Sequence, residues 1–305
     1  MIRQMYDIVI IGAGPAGLSA AIYARRASKS VLVLEANTYG GQIVNTPDIE
    51  NYPVEEHISG FEFATKLYTQ ATNLGAQVKF ERATAIDESG ENKVVQTAKN
   101  TYEAKAVIIA TGAQNRKLGV AREEDMVGKG ISYCATCDGA FYRKKAVAVV
   151  GGGNTAIEDA EYLADIADKV YLIHRRDAFR ADSASVEKLQ KKENVEFVLN
   201  STVSALVIEN KVVGIEVSDQ EGNTTVLDVD CLFVAVGRIP ENESFADVIC
   251  LDAQGYADAG EDCTTGKAGI FVAGDNRAKD VRQLVTATAD GAVAATNAVK
   301  YINSL

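Results

Sequence analysis

Twice in this chain a short apolar run enters a glycine-rich turn and then an alanine-rich stretch. Residues 7–11 lead into Gly12-Ala13-Gly14-Pro15-Ala16-Gly17 and a helical pattern over 18–27. Residues 146–150 lead into Gly151-Gly152-Gly153-Asn154-Thr155-Ala156, then a helix with Ile157, Ala160, Leu163, Ala164 and Ala167 on one face. No other feature constrains the fold as much. In G-x-G-x-x-G the first glycine permits a tight turn, and the second lets backbone approach a pyrophosphate. The third lets helix and strand pack closely, a role that falls to Ala156 in the second copy. A pyrophosphate at such a helix N-terminus meets unpaired N–H groups and the positive end of the helix dipole. The reading is an α/β fold with two Rossmann-like dinucleotide-binding domains; a glycine-rich turn without a ligand is the plain alternative.

The strand after each fingerprint distinguishes the two copies. The strand at 30–34 ends in Glu35, 23 residues after Gly12, where an acid accepts hydrogen bonds from a ribose hydroxyl. The strand at 169–173 ends in His174-Arg175-Arg176, and His174 stands at the same offset from Gly151. The expected acid is absent, two cations come next, and Arg180 lies four residues further on. Guanidinium groups match phosphate geometry in charge-assisted pairs. The cluster therefore predicts NADP over NAD at the second site, against a solvated basic turn. His174 alone reads as a strand-end neighbour.

Between the fingerprints lies Tyr133-Cys134-Ala135-Thr136-Cys137-Asp138. A C-x-x-C can close a small disulfide ring, and its first thiol can be acidified well below the free value of about 8.5. Asp138 is placed to exchange a proton with the departing sulfur. Half of a zinc site and a pair of unlinked thiols are the alternatives. Zinc needs four ligands, and only the single Cys231, Cys250 and Cys263 with His57 and His174 remain, so no metal is expected.

The 305 residues suffice for two domains, with 47% hydrophobic and 24% charged residues as in soluble globular proteins. The N-terminal residues run directly into a strand pattern, no signal peptide is recognisable, and no apolar run spans a bilayer. A cytoplasmic enzyme is the expectation, where C-x-x-C is more often catalytic than structural. A net charge of −11 argues against nucleic-acid partners. Elsewhere, Gly40-Gly41-Gln42 reads as a loop, and 61–74 as an amphipathic helix closed by Gly75. The segments 77–80 and 93–97 read as an antiparallel appendage, and 106–110 as a buried strand ending at Thr111-Gly112. A domain linker is expected in 113–130, alternating strands over 195–217 and 224–228, and a core position at Cys231. A buried strand over 269–275 delivers Asp275 to its carboxyl end, which faces the ligand crevice of an open α/β sheet. Arg282-Gln283 and a helix over 287–299 complete the chain.

Taken in this order, these motifs resemble the low-molecular-weight thioredoxin reductases essentially end to end. The resemblance implies FAD at the first site and NADPH at the second. It also implies a discontinuous FAD domain, 1–113 and 243–305, around an NADPH domain, 114–242, that carries the redox cysteines. Carried over residue by residue, Gly12, Gly14, Pro15, Ala16, Gly17, Glu35, Gly40, Gly41, Gln42, Asn51, Thr111, Gly112, Gly274, Asp275, Arg282 and Gln283 would hold FAD. Gly153, Asn154, Thr155, His174, Arg175, Arg176 and Arg180 would hold NADPH. Cys134, Cys137 and Asp138 would reduce the disulfide of thioredoxin, with Asp138 as acid/base, in a homodimer. The family often has Asn-aromatic-Pro-Gly where this chain has Asn51-Tyr52-Pro53-Val54. Other thioredoxin-fold acceptors, a ferredoxin donor, or a nucleotide-binding redox sensor are the competing readings.

Overall fold

The computed structural model describes residues 4–88 and 92–305. The chain divides into two compact units, Met1–Gln114 with Ile239–Leu305, and Asn115–Arg238.

In the first unit the elements are β1 (Gln4–Ile11), α1 (Pro15–Arg26), β2 (Val31–Glu35), α2 (Gly60–Asn73), β3 (Gln77–Phe80), β4 (Ala83–Asp87), β5 (Lys93–Thr97) and β6 (Thr101–Ile109). They build one sheet in the order β3-β2-β1-β6-β5-β4. β1 pairs in parallel with β2 and β6, and its Ile8, Val9 and Ile10 have no exposed surface. A parallel strand covered on both faces needs such an unbroken apolar run. α1 starts at Pro15, inside the fingerprint, where a missing N–H costs the helix nothing.

β3 corrects one sequence expectation. It is not part of an antiparallel appendage but pairs in parallel with β2, because α2 acts as a crossover that returns the chain in the same direction. Its alternation reflects an edge position. The antiparallel part is β4–β5–β6.

Two short strands, β7 (Ala113–Asn115) and β16 (Arg238–Pro240), span the two points where the chain enters and leaves the second unit, which contains β8 (Ile131–Ser132), α3 (Ala135–Asp138), β9 (Ala146–Val150), α4 (Asn154–Ala164), β10 (Lys169–His174), α5 (Ser183–Gln190), β11 (Val195–Leu199), β12 (Ser201–Ile208), β13 (Val212–Asp219), β14 (Thr224–Asp228) and β15 (Cys231–Val234). Its parallel sheet runs β11-β10-β9-β15-β8, beside an antiparallel sheet β12-β13-β14. Cys231 is fully buried on β15. The linker expected over 113–130 is shorter than that. Met126 is buried, and Leu118, Val120 and Val127 pack with it against Ile131, Val150 and Leu232. These apolar residues fall in two short clusters, 118–121 and 126–127, split by the charged run 122–125, so no periodicity marked them.

The chain then returns to the first unit. β17 (Ile270–Val272) pairs in parallel with β6, and α6 (Leu284–Asn303) lies against α1. Ser19 Oγ donates to the Thr288 carbonyl at 2.7 Å. A Cβ on Gly291 would stand 2.1 Å from the Ala16 carbonyl oxygen, so only glycine permits this approach. The buried face of α6, including Ala287, Ala294, Ala295 and Ala298, is mostly small, and each buried methyl contributes about 0.8 kcal/mol. Among the described residues no helix is long and apolar enough to cross a membrane.

Candidate functional site

In the first unit the fingerprint turn is fixed by backbone and by one acid. Gly12 N–H donates to the Leu34 carbonyl at 2.8 Å, which ties the turn to the end of β2. Glu35 Oε2 accepts from the N–H of Ala13 and Oε1 from that of Asn37, both at 2.8 Å. A Cβ on Gly17 would lie 1.9 Å from the Gly12 carbonyl oxygen, so the turn closes tightly onto α1. Gly14 differs: its Cβ would meet only the Gly41 Cα, at 3.9 Å. Room is therefore left over the N-terminus of α1, where Gly14 supplies no capping side chain.

Other candidate residues gather around that room. Gly40 donates to the Ala13 carbonyl at 2.8 Å, and Gly41 and Gln42 open a short 3-10 helix beside the turn. Gly274 is packed so that a Cβ would be 2.9 Å from the Ala16 Cβ, which sets Asp275 beside α1. Arg282 Nε donates to the Asp275 carbonyl at 3.4 Å while its guanidinium lies over the Tyr256 ring. Asn51 Nδ2 donates to Gln283 Oε1 at 3.2 Å. Thr111 Oγ1 accepts from Asn276 Nδ2 at 3.1 Å, and Gly112 accepts through its carbonyl from Glu241 N–H. The donors and glycines fit an extended anionic dinucleotide: open backbone, an uncapped helix N-terminus, and a carboxylate at the sugar position.

In the second unit Cys134 and Cys137 are joined by a disulfide, so neither thiol is left for a metal. Asp138 ends α3, and its N–H donates to the Cys134 carbonyl at 3.1 Å. Its Oδ2 accepts from Ser132 Oγ at 2.7 Å; its Oδ1 is buried without a hydrogen-bond partner among the described residues. Burial pushes the Asp138 carboxyl above the usual carboxylate range, and the Ser132 hydroxyl draws it part of the way back.

The second fingerprint leaves a comparable opening. A Cβ on Gly153 would touch nothing within 4 Å. Asn154 Oδ1 accepts from Asp182 N–H at 3.1 Å, Thr155 is exposed, and Arg180 N–H donates to the Gly152 carbonyl at 2.8 Å. His174 lies beneath this turn: a Cβ on Gly152 would be 2.0 Å from its ring. Its Nε2–H donates to the Ala178 carbonyl at 3.2 Å, and the ring stacks on Phe179. Burial, reinforced by Arg175, Arg176 and Arg180, lowers its pKa, so it is a neutral support for the loop. Arg175, Arg176 and Arg180 are all exposed. Among the described residues none of the three makes an ion pair.

Comparison with known proteins decides the family. Residues 6–291 match the pyridine nucleotide-disulphide oxidoreductases. A thioredoxin reductase of Listeria monocytogenes is 44% identical over 305 residues, covering 99% of this chain and 96% of that one. The crystal structure of thioredoxin reductase from Streptococcus pyogenes superposes with a TM-score of 0.95 at 40% identity, covering 99% of this chain and 100% of that chain. The chain belongs to the pyridine nucleotide-disulphide oxidoreductase family, among its low-molecular-weight thioredoxin reductases. A ferredoxin-flavin thioredoxin reductase of Clostridium acetobutylicum is more distant, with a TM-score of 0.55 and 31% identity over 99% of this chain and 100% of that chain.

In this thioredoxin reductase family member, several residues that support the sites escaped the sequence reading. Asp290, buried on α6, accepts from Gly274 N–H at 2.9 Å, Arg277 at 2.8 and 2.9 Å, and Lys279 at 2.9 Å. Burial raises its pKa, but the hydrogen bonds from Arg277 and Lys279 prevail and hold it below the ordinary carboxylate value. The carboxylate thus clamps the turn that presents Asp275. Glu123, also buried, accepts from the N–H groups of Leu118 and Gly119 and from the Tyr133 hydroxyl, which steadies the approach to Cys134. A lone acid among the alanines of α6 was a visible signal. Its partners, 11 to 16 residues away in sequence, were not.

Proposed function

We propose that this protein is an NADPH-dependent flavoprotein that reduces the disulfide of thioredoxin through FAD and the Cys134–Cys137 pair. The family, with the full-length likeness to thioredoxin reductases, supports the activity, and the disulfide at the predicted pair is the single observation that carries it. The residues around Gly14 would hold the FAD pyrophosphate, with Glu35 on the adenosine ribose and Arg282-Gln283 toward the flavin. Arg175, Arg176 and Arg180 would take the 2′-phosphate of NADPH; three exposed guanidinium groups in so acidic a chain, with no carboxylate partner among the described residues, support that assignment. Bound FAD supplies two-electron chemistry between the nicotinamide and the disulfide. The chain then acts through its own thiols. One thiolate of the reduced pair attacks the thioredoxin disulfide; the other sulfur resolves the mixed disulfide and re-forms Cys134–Cys137. Asp138 carries a proton between the sulfurs. The domain assignment, 1–113 and 243–305 for FAD and 114–242 for NADPH, belongs to the same proposal, as do a homodimer and a cytoplasmic setting.

An anaerobic titration of the FAD-loaded protein with NADPH, and separately with NADH, tests this. NADPH is expected to bleach the flavin at far lower concentration, and oxidised thioredoxin to restore the colour. Cys137→Ser is expected to keep the bleaching and lose thioredoxin reduction; turnover by that variant would sink the assignment. The likeness to a ferredoxin-flavin enzyme makes ferredoxin the donor to test if neither nucleotide bleaches the flavin.

A further inference from the structure

Asp138 has two oxygens in unlike surroundings. Oδ2 is 2.7 Å from Ser132 Oγ, whereas Oδ1 is buried and has no hydrogen-bond partner among the described residues. Ser132 is itself buried, 3% exposed, on the two-residue strand β8. Its oxygen accepts the N–H of Cys134 at 3.1 Å and lies 3.3 Å from the Cys134 carbonyl. One hydroxyl carries one proton, and the shorter contact, to a carboxylate, is where it is held most strongly. Ser132 therefore joins the acid to the backbone of the first redox cysteine.

We infer that Ser132 is a positioning residue that fixes Asp138 by Oδ2 and leaves Oδ1 as the oxygen that exchanges protons with the redox sulfurs. The inference rests on the function proposed above and assigns the acid/base work to one atom. A thiolate of the dithiol opens the partner's disulfide and forms a mixed disulfide, and the first partner sulfur leaves as a thiolate that takes a proton from water. The remaining enzyme thiol gives its proton to Oδ1, and its sulfur attacks the enzyme sulfur of the mixed disulfide. The second partner sulfur departs and takes that proton back from Oδ1. Two electrons pass from the enzyme dithiol to the partner, and the carboxylate is regenerated.

Oδ2 accepts from Ser132 whether or not Oδ1 is protonated, so the side chain need not turn during the cycle. The bond is stronger to the ionised form, and so it favours the base that the reduced enzyme requires. The other titratable groups nearby come from neighbouring elements: the Tyr142 hydroxyl, hydrogen-bonded to the Cys231 thiol of β15, with Asp230 and Lys145 beyond. Burial raises both Tyr142 and Cys231 well above their ordinary values, so neither titrates with Asp138.

The test compares Ser132→Ala, Ser132→Thr and Ser132→Val with the wild type in the FAD-loaded enzyme. Thr and Val have nearly the same shape and differ in the hydroxyl, which separates packing from hydrogen bonding if the alanine variant folds poorly. The first readout is the infrared band of the protonated Asp138 carboxyl, identified by its loss in Asp138→Asn. The second is the pH profile of kcat/KM for thioredoxin. In the Ala and Val variants the band midpoint and the acid limb are expected to move up together by about one to two pH units, the worth of one hydrogen bond to a charged group. Thr is expected to keep both near the wild-type position. An unmoved band midpoint, or a rate that falls equally at every pH, would overturn the role. Failure of the wild type to reduce thioredoxin would instead reject the proposed function, and the infrared midpoint would still decide the Ser132 link.

Discussion

The two fingerprint turns have the same local architecture, yet the residue at the matching offset works in opposite ways. Glu35 holds its turn from outside: each carboxylate oxygen accepts one backbone N–H, from Ala13 and Asn37, and retains a lone pair for a sugar hydroxyl. His174 holds its turn from beneath, with its ring packed against Gly152 and its one donated bond going to Ala178. It presents nothing to a ribose. Beyond that strand end three guanidinium groups stand exposed, and the proposed function assigns recognition in that half to them. The offset to which the proposed function gives the ribose contact in one copy is loop support in the other. On the proposed function, the nucleotide is selected not by the shared fold but by what the loop support leaves free.

The largest expected effect lies in those arginines. Charge-assisted hydrogen bonds contribute about 1.5–3 kcal/mol each, so replacing both Arg175 and Arg176 by Ala should lower the preference for NADPH over NADH by about 10²–10⁴-fold. Flavin bleaching with each nucleotide measures this directly. NADH itself should be little affected, because it lacks the phosphate. Equal losses for both nucleotides would mean that the cluster serves the loop, as His174 does, and the contrast between the copies would fail.

A second test separates folding from binding within the first copy. Gly17→Ala forces a methyl to within 1.9 Å of a backbone oxygen and should destabilise the protein by about 1–3 kcal/mol or more, read by denaturant unfolding. Gly14→Ala meets no atom closer than 3.9 Å and leaves an ordinary φ of −76°, so the apoprotein should unfold as the wild type does. Its FAD retention should nevertheless fall, because the methyl fills the room above α1. If Gly14→Ala bound FAD normally, the pyrophosphate would have to lie elsewhere.

This division also explains what could be read from the sequence. Both fingerprints, the C-x-x-C and the arginine trio were legible because each depends on near neighbours in the chain: a turn, a ring of four residues, an offset along one βαβ unit. Asp290 and Ser132 were not. Asp290 matters through Gly274, Arg277 and Lys279, which only the packing of α6 beside β17 brings together. Ser132 reads as one more small strand residue until α3 turns Asp138 back onto it. The parallel pairing of β3 was hidden for a related reason. Four residues of edge strand alternate in either direction, and only the crossover through α2 fixes the sense.

Glu35→Gln sharpens the comparison with a smaller change. The amide keeps one accepting oxygen and turns an NH₂ group toward the second backbone N–H, so one hydrogen bond to a charged group is lost. Apoprotein stability should fall by about 1–2 kcal/mol, and FAD affinity with it. A drop in FAD affinity alone would show that Ala13 and Asn37 do not need the carboxylate, making Glu35 a ligand residue only.

His174 supplies the smallest effect, and a pH-dependent one. Its folded pKa lies below the ordinary value of 6.5, chiefly through burial and further through the arginines beside it. Above that value the imidazole is neutral in both the folded and the unfolded chain and contributes no pH dependence. As the pH falls below 6.5 the unfolded chain takes up a proton that the folded one resists. The unfolded state then binds more protons and stability declines, until the folded imidazole also titrates. A single group limits the slope to about 1.4 kcal/mol per pH unit. His174→Gln keeps an N–H for the Ala178 carbonyl and cannot titrate. The difference in unfolding free energy between the two proteins should therefore narrow steadily from pH 7 to pH 5, and stay flat above pH 7. A difference that instead widened from pH 7 to pH 5 would mean that the folded pKa is raised and that His174 is charged where it lies. It would then stand with the arginines as part of the anion site, and the two copies would differ in ligand chemistry alone, not in how their turns are held.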